Sequence, residues 1–215
     1  MNLPNMLTMS RLGLALVMML FLEINFPFSK TLALLVFSIA GLTDYLDGYI
    51  ARRQNMSTPF GKLMDPLTDK VLVCAAFVSF VEIQITRGTH PTSLVPAWIA
   101  VIIISREFLV TGLRLLAASK GNIIPAGKWG KHKTAWQIIA IVVILIGLSI
   151  RFDLLRHLAE TAAAGDRDAK IMIANFDLCF SLIALGISGS IALITVASGV
   201  MYFFQHRELM TRRGK

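Results

Sequence analysis

Residues 44–70, which we call the acidic window, read DYLDGYIARRQNMSTPFGKLMDPLTDK. They contain four aspartates, Asp44, Asp47, Asp65 and Asp69. The chain of 215 residues has only 13 acidic residues and is 55% hydrophobic. Ionisable groups are costly beside lipid and mark functional sites there. A concentration of carboxylates in one short segment of such a chain therefore indicates a site.

The composition of the chain is that of a membrane protein. Charged residues make up 16% of the sequence, whereas a soluble domain has about 25%, and the mean hydropathy is +0.68. The block Leu178–Phe204 has 27 residues without a charge, more than the roughly 20 that a membrane-spanning helix requires, and shorter apolar blocks occur along the rest of the chain. We predict an all-α membrane protein of one domain, residues 1–215, with six transmembrane helices around Leu12–Leu22, Thr31–Leu42, Val71–Val81, Leu94–Ser105, Ala135–Ile150 and Leu178–Phe204.

Basic residues predict the orientation of these helices. An even number of spans places both termini on one side, and most Lys and Arg residues fall in the loops and tail on that side. Cytoplasmic loops carry the excess of basic residues, so we predict cytoplasmic termini. The net charge of +8 suits anionic lipids or phosphorylated substrates. It is divided among several loops, which argues against nucleic acid as a partner. Residues 151–177 are expected to form an exposed loop with a short surface helix.

The acids of the second span share one face if that span is helical. Asp44, Asp47, Gly48 and Ala51 occupy positions i, i+3, i+4 and i+7, which lie on one side of a helix. Two carboxylates and two small residues are therefore predicted to point the same way.

The acids of the third span repeat this arrangement. After a polar turn, a helix is predicted to begin near Gly61, and Asp65 and Asp69 follow at intervals of four residues. Pro66 is compatible with a helix start, where the first amides lack partners within the helix. The two helices are antiparallel, so we expect four carboxylates to converge at their cytoplasmic ends.

Converging carboxylates repel one another unless a cation neutralises them or water surrounds them. Oxygen ligands suit Mg²⁺ or Mn²⁺, and four carboxylates indicate two ions. Gly48 and Ala51 leave room beside the acids, and the Arg52 guanidinium can bind phosphate. Together these features predict a site for a metal-bound diphosphate. The alternative is a solvated helix end, with Arg52, Arg53 and Lys70 as interface anchors.

The pattern Asp44-x2-Asp47-Gly48-x2-Ala51-Arg52-x8-Gly61-x3-Asp65-x3-Asp69 resembles the defining motif of the CDP-alcohol phosphatidyltransferases. The resemblance implies six transmembrane helices around a cytosol-facing cavity, and a homodimer. It also implies that the first three aspartates bind metal and that the fourth, Asp69, is both a metal ligand and the general base. The glycine and arginine of the motif, and with them Thr58, would contact the cytidine diphosphate group.

A wider resemblance concerns the second substrate. The segments NLPNMLTMSR at 2–11, SREFLVTGLR at 105–114 and GKHKT at 130–134 resemble bacterial family members that use glycerol 3-phosphate as the acceptor. This resemblance covers most of the first 137 residues, and the C-terminal third is expected to add only hydrophobicity. Asn5, Thr8 and Arg11 are candidates for nucleotide contacts. The alternatives are helix capping for Asn5 and interface anchoring for Arg11.

Basic residues in the fourth and fifth spans predict a phosphate pocket. Arg106 lies inside an apolar span, where an ionisable residue indicates function, and Arg114 follows on the same side of that helix. Lys131 and Lys133 begin the fifth span at the cytoplasmic level, although positive-inside anchoring would also explain them. Glu107 is judged a poor partner for Arg106, because adjacent residues point apart on a helix.

The predicted reaction transfers a phosphatidyl group from CDP-diacylglycerol to glycerol 3-phosphate at the cytoplasmic face of a bacterial inner membrane. Serine, inositol phosphate or phosphatidylglycerol remain alternative acceptors. A divalent-cation transporter is the alternative from another class, because carboxylates inside a membrane also line ion paths.

Overall fold

Long apolar blocks fold into long helices in this chain, as shown by a computed structural model that describes the backbone of residues 3–54, 59–87, 90–119 and 128–205. Side chains within these ranges are described except those of residues 3–8, 44–54, 59–66, 69, 116, 118, 119, 128–132, 203 and 205. The elements are α1 Leu3–Glu23, α2 Ser29–Gln54, α3 Pro59–Glu82, β1 Gln84–Arg87, β2 His90–Ser93, α4 Ala97–Ser119, α5 Lys128–Ser149, a π-helical turn Ile150–Leu154, α6 Arg156–Ala163 and α7 Arg167–Gln205.

Helix α1 packs against both α2 and α3 and so holds the two helices of the acidic window together. Its buried residues Ala15, Met18 and Leu22 recur at helical spacing. Ala33 and Ala40 of α2 are fully buried, and small residues of this kind let helix backbones approach closely. The three helices therefore form one packed unit.

Polar contacts hold the connection between α1 and α2. The Lys30 side chain is buried, and its Nζ donates to the carbonyls of Leu22 at 2.5 Å and Ile24 at 3.0 Å. These bonds satisfy carbonyls that the end of α1 leaves without partners. Asp153 accepts bonds at 2.7 Å from the backbone N and from Oγ1 of Thr31, and so caps the start of α2. The π-helical turn is thereby tied to α2.

A β-hairpin between α3 and α4 was not predicted. Strands β1 and β2 are antiparallel, with Gln84 opposite Ser93 and Arg87 opposite His90. Arg87 Nε donates to Oγ of Ser181 at 3.2 Å, which connects the hairpin to α7. The hairpin lies at the end of α3 that is opposite to the acidic window.

The expectation of an exposed loop at 151–177 is only partly correct. Helix α6 is the predicted surface helix, but α7 already begins at Arg167, so the second half of the segment is helical. Arg151 Nε and Nη2 donate to the Asp177 carboxylate at 2.5 and 3.1 Å. Charged residues suggested a loop, but here they form the polar first turns of a helix that continues into an apolar span.

The exterior of the helices is apolar, as expected for a membrane protein. Leu16 and Val101 are each 61% exposed, and Leu193 is 75% exposed. Helices that are apolar on inner and outer faces are typical of membrane spans. Within the described residues, two stretches are long and apolar enough to cross a membrane, Lys133–Leu154 and Arg167–Tyr202. The six predicted blocks lie in or overlap the long helices α1–α5 and α7.

Candidate active site

All four aspartates of the acidic window lie in helices, as predicted. Asp44 and Asp47 belong to α2, and Asp65 and Asp69 belong to α3. Helix α2 continues without interruption through its two acids, so their spacing of three residues does place them on one face. The side chains of the four aspartates lie outside the described part of the structure.

The helix bounds place the four acids at two matching levels. Asp44 is ten residues before the end of α2, and Asp69 is ten residues after the start of α3, about 15 Å from each end at 1.5 Å per residue. Asp47 and Asp65 are seven and six residues from the same ends, about 10 Å. Both helices pack on α1, which is too short to hold them end to end, and four residues connect them. They therefore run in opposite directions, with the backbone positions of their acids at matching levels.

Pro66 lies deeper in its helix than predicted. Because α3 begins at Pro59, Pro66 is the eighth residue of the helix rather than part of its first turn. The prediction that it falls among the unpaired amides of a helix start is wrong, and Pro59 has that place instead. Pro66 removes one hydrogen bond from the interior of α3, between two acids of the window.

The other motif residues are placed only by their backbone. Gly48, Ala51 and Arg52 lie in the last three turns of α2, and Gly61 lies in the first turn of α3. Thr58 lies outside the described residues. These four helical residues are thus on the two elements that carry the acids.

Helix α1 contains the remaining candidates for nucleotide contacts. It begins at Leu3 and includes Asn5 and Thr8, whose side chains lie outside the described part. Because Asn5 is inside the helix, the capping alternative for Asn5 is wrong. Arg11 is only 4% exposed, so it does not anchor the helix at a membrane interface. A buried guanidinium on the helix that contacts α2 and α3 faces the interior of the protein.

The centre of the described site is a buried ionic cluster around Glu107, formed with Lys70, Arg106, Lys133 and Gln137. Glu107 of α4 is 4% exposed, and Oε1 accepts a hydrogen bond from Lys133 Nζ of α5. Gln137 Nε2, one turn further along α5, lies 3.4 Å from the same oxygen. Arg106 Nη1 is 3.5 Å from Oε1, and Lys70 Nζ of α3 is 3.8 Å from Oε2. We call these five residues the Glu107 cluster.

The cluster corrects two predictions. The Lys133 side chain is 2% exposed and bonded to Glu107, so the alternative of positive-inside anchoring at the membrane surface does not describe it. Arg106 does reach Glu107, although they are adjacent on α4, because both side chains are long enough to bend towards each other. Lys131 lies in the first turn of α5, and its side chain is outside the described part.

Helix α7 contributes to this region, contrary to the expectation that the C-terminal third adds only hydrophobicity. The Arg114 guanidinium stacks over the Tyr202 ring at 5.7 Å. Gly199, three residues earlier on α7, leaves room for Arg106, because a Cβ there would lie 3.2 Å from Arg106 Cγ. The prediction that Arg106 and Arg114 share one side of α4 is confirmed, since both face α7.

Both arginines pack against the last part of α7. Arg106 Cγ lies beside Gly199, and the Arg114 guanidinium lies over the ring of Tyr202, three residues further along α7. The Nε atoms of Arg106 and Arg114 are buried and have no hydrogen-bond partner among the described residues. A guanidinium has five N–H donors, so each arginine has donors besides its buried Nε that can form charge-assisted hydrogen bonds to a phosphate.

The acidic window has the donor set of a divalent-metal site. Its four aspartates belong to two matched backbone levels of α2 and α3, and carboxylate oxygens are the ligands that Mg²⁺ and Mn²⁺ prefer. Among the described side chains alone, no group of three or more His, Cys, Asp or Glu residues could hold a metal ion. The residues present in the window therefore fit such a metal.

Comparison with known proteins identifies the family. The CDP-alcohol phosphatidyltransferase family matches residues 1–203. Proteins named CDP-diacylglycerol–glycerol-3-phosphate 3-phosphatidyltransferase are similar to the chain. The protein from Bacillus subtilis is 40% identical over 157 residues, 67% of this chain and 77% of its own. That from Rickettsia bellii is 37% identical over 68% and 76% of the two chains, and that from Mycoplasma pneumoniae is 32% identical over 86% and 85%. The chain belongs to the CDP-alcohol phosphatidyltransferase family.

Proposed function

We propose that the protein transfers the phosphatidyl group from CDP-diacylglycerol to sn-glycerol 3-phosphate, giving phosphatidylglycerophosphate and CMP. The observation that carries this proposal is that Arg106 and Arg114 both pack against α7, while Arg106 and Lys70 of α3 lie near the same Glu107 carboxylate. The names of the relatives, which specify these two substrates, support the same reaction.

The acidic window binds the donor together with metal. Asp44, Asp47, Asp65 and Asp69 hold two divalent ions, Mg²⁺ or Mn²⁺, which supply positive charge to the diphosphate and to the leaving CMP when bound. The matched levels of the acids on α2 and α3 support this assignment.

The nucleotide half of the donor lies against α1, α2 and α3. Small residues beside the acids leave space for the diphosphate, and Arg52 binds it with charge-assisted hydrogen bonds. The buried side chain of Arg11 supports a contact from α1. The proposed contacts with CDP-diacylglycerol are Gly48, Ala51, Arg52, Thr58, Gly61, Asn5, Thr8 and Arg11.

Asp69 performs the proton transfer. Its carboxylate accepts the proton from the C1 hydroxyl of glycerol 3-phosphate as that oxygen attacks the phosphorus attached to diacylglycerol. The new phosphorus–oxygen bond forms as the bond to CMP breaks. Because a primary alcohol is a weak nucleophile, holding it close to the phosphorus contributes much of the rate.

The acceptor phosphate binds to Arg106 and Arg114, with Lys131 of α5 as a further contact. Lys133 contributes indirectly, because it is the hydrogen-bonded partner of Glu107. Two guanidinium groups in a water-poor setting bind a phosphate more strongly than an uncharged hydroxyl compound.

The same proposal includes the topology and location of the protein. It is a single domain, residues 1–215, with six transmembrane helices and cytoplasmic termini in a bacterial inner membrane, where membrane lipids surround it. The active site faces the cytoplasm, and the protein is a homodimer. The apolar exterior and the six long helices support this arrangement.

The reaction is tested with purified protein in detergent. CDP-diacylglycerol, Mg²⁺ or Mn²⁺, and one acceptor at a time are supplied, and release of CMP is measured. Glycerol 3-phosphate is expected to support release, whereas serine, inositol phosphate and phosphatidylglycerol are not. Release with another acceptor alone would refute the acceptor assignment. If no acceptor supports CMP release with either metal, and the protein carries the metal into liposomes, a divalent-cation transporter is favoured instead.

A further inference from the structure

Glu107 has more cationic neighbours than its own charge requires. A buried carboxylate is unfavourable without a counter-charge, and the bond from Lys133 supplies one. Arg106 at 3.5 Å and Lys70 at 3.8 Å are additional. Neutralisation of the carboxylate alone therefore does not explain why three cations surround it.

The two oxygens of Glu107 serve different helices. Oε1 accepts from Lys133, with Gln137 Nε2 at 3.4 Å, and so connects α4 to α5. Oε2 faces Lys70 of α3 at 3.8 Å. Lys70 directly follows Asp69, so one carboxylate links the helix of the proposed base to the helix of the proposed acceptor arginines.

Arg106 is held by this carboxylate on one side only. Its Nη1 lies near Oε1 of Glu107, while its Nε has no hydrogen-bond partner among the described residues. Gly199 of α7 lies against the middle of the same side chain. A guanidinium fixed in this way presents its remaining donors in one direction, and fixed orientation is what a binding group needs.

We propose that Glu107 is a positioning residue for the acceptor. It fixes the position of the Arg106 guanidinium relative to the segment of α3 around Lys70. Glycerol 3-phosphate bound to Arg106 through its phosphate then presents its C1 hydroxyl to Asp69. The inference rests on the proposed function. Glu107 does not itself touch the acceptor, because its negative charge would repel a phosphate.

A merely structural role for Glu107 predicts a different outcome and needs a matched control. Asp177 of α7 provides it, because it is 3% exposed and receives two hydrogen bonds from Arg151. This pair also joins two elements through a buried carboxylate, but it lies near the start of α7, far along that helix from Gly199. Loss of either carboxylate should weaken packing to a similar degree.

The experiment compares Glu107→Gln and Asp177→Asn with the wild-type protein. Steady-state kinetics give kcat and the two KM values, and thermal unfolding in detergent gives Tm. For Glu107→Gln we expect KM for glycerol 3-phosphate to rise about tenfold or more, with KM for CDP-diacylglycerol changed less than about twofold. For Asp177→Asn we expect a lower Tm with both KM values within about twofold of the wild type.

Two results would overturn this inference and leave the proposed function intact, provided that the wild-type protein is active. One is a KM for glycerol 3-phosphate that is unchanged in Glu107→Gln. The other is a rise of that KM in Asp177→Asn equal to the rise in Glu107→Gln. Should Glu107→Gln not fold, Glu107→Gln/Lys133→Met removes the carboxylate together with its lysine. The raised acceptor KM is expected there too, and a wild-type value would refute the positioning role. A wild-type protein that releases no CMP with glycerol 3-phosphate refutes the proposed function and this inference with it.

Discussion

Replacing Gly199 with alanine tests whether Arg106 binds the acceptor. The added Cβ would lie 3.2 Å from Cγ and 3.9 Å from Nε of Arg106. Carbon atoms prefer separations of about 3.5–4.0 Å, so the arginine side chain must shift by a few tenths of an ångström. A misplacement of about 1 Å can cost a factor of about 100 in rate. The smaller shift here is expected to raise KM for glycerol 3-phosphate about threefold to tenfold, on the same scale.

The stability of the variant should separate this effect from unfolding. Alanine is more favourable than glycine inside a helix by up to about 1 kcal/mol, which offsets the close contact with Arg106. The Tm of Gly199→Ala is therefore expected to stay near the wild-type value while the acceptor KM rises.

Gly189→Ala is the matched control. Gly189 lies on the same helix, and a Cβ there would have nothing within 4 Å among the described atoms. The control gains the same helix propensity without approaching Arg106, so its acceptor KM should equal that of the wild type. Equal KM values in Gly199→Ala and Gly189→Ala, measured by CMP release at varied glycerol 3-phosphate, would refute the role given to Arg106.

Three further perturbations follow from the site and the packing. Asp69→Asn should abolish CMP release while CDP-diacylglycerol still binds in equilibrium dialysis, because the base is lost but the fold is kept; near-wild-type turnover would disprove the base assignment. Gly147→Ala places a Cβ 2.6 Å from Cδ2 of Phe180 and should cost about 1–3 kcal/mol of stability, seen as a lower Tm. Gly41→Ala, whose Cβ would have no described atom within 4 Å, should not lower Tm in this way. Lys133→Met should cost about 1–3 kcal/mol, because Glu107 loses its hydrogen-bonded partner while Arg106 and Lys70 still supply counter-charge. Adding Glu107→Gln should restore part of the Tm, and no recovery would contradict the pairing.

The positions of the acids could be predicted because they depend on local geometry. A spacing of three or four residues fixes a shared face as soon as the segment is helical, and α2 and α3 are helical through all four aspartates. The short connection between the two helices then determines that they are antiparallel. No long-range information was needed for either step.

The partner of Lys133 could not be predicted in the same way. Its bond to Glu107 joins residues 26 positions apart on different helices, and sequence spacing does not tell which buried acid meets which base. One signal was present in the sequence. Glu107 lies in an apolar run, and the cost of a charge there, which drew attention to Arg106, applies equally to its neighbour.

The role of α7 was missed for a related reason. Gly199 and Tyr202 are unremarkable in an apolar segment, because glycine and tyrosine are common in membrane helices. Their meaning comes only from the arginines that pack against them. The early start of α7 was missed because the span was defined by its apolar block. The charged residues that precede this block were therefore assigned to a loop.

The charge balance around α4 favours an acceptor that carries a phosphate. Among the described side chains, the single Glu107 carboxylate faces Lys70, Arg106 and Lys133, and Arg114 adds a further positive charge beside α7. A phosphate monoester carries about −1.5 to −2 charges at pH 7 and matches two guanidinium groups. Serine would leave that positive charge uncompensated in an apolar setting, which is costly. Inositol phosphate carries the same charge as glycerol 3-phosphate and differs only in the bulk of its ring, so it is the acceptor against which the assignment is tested most severely.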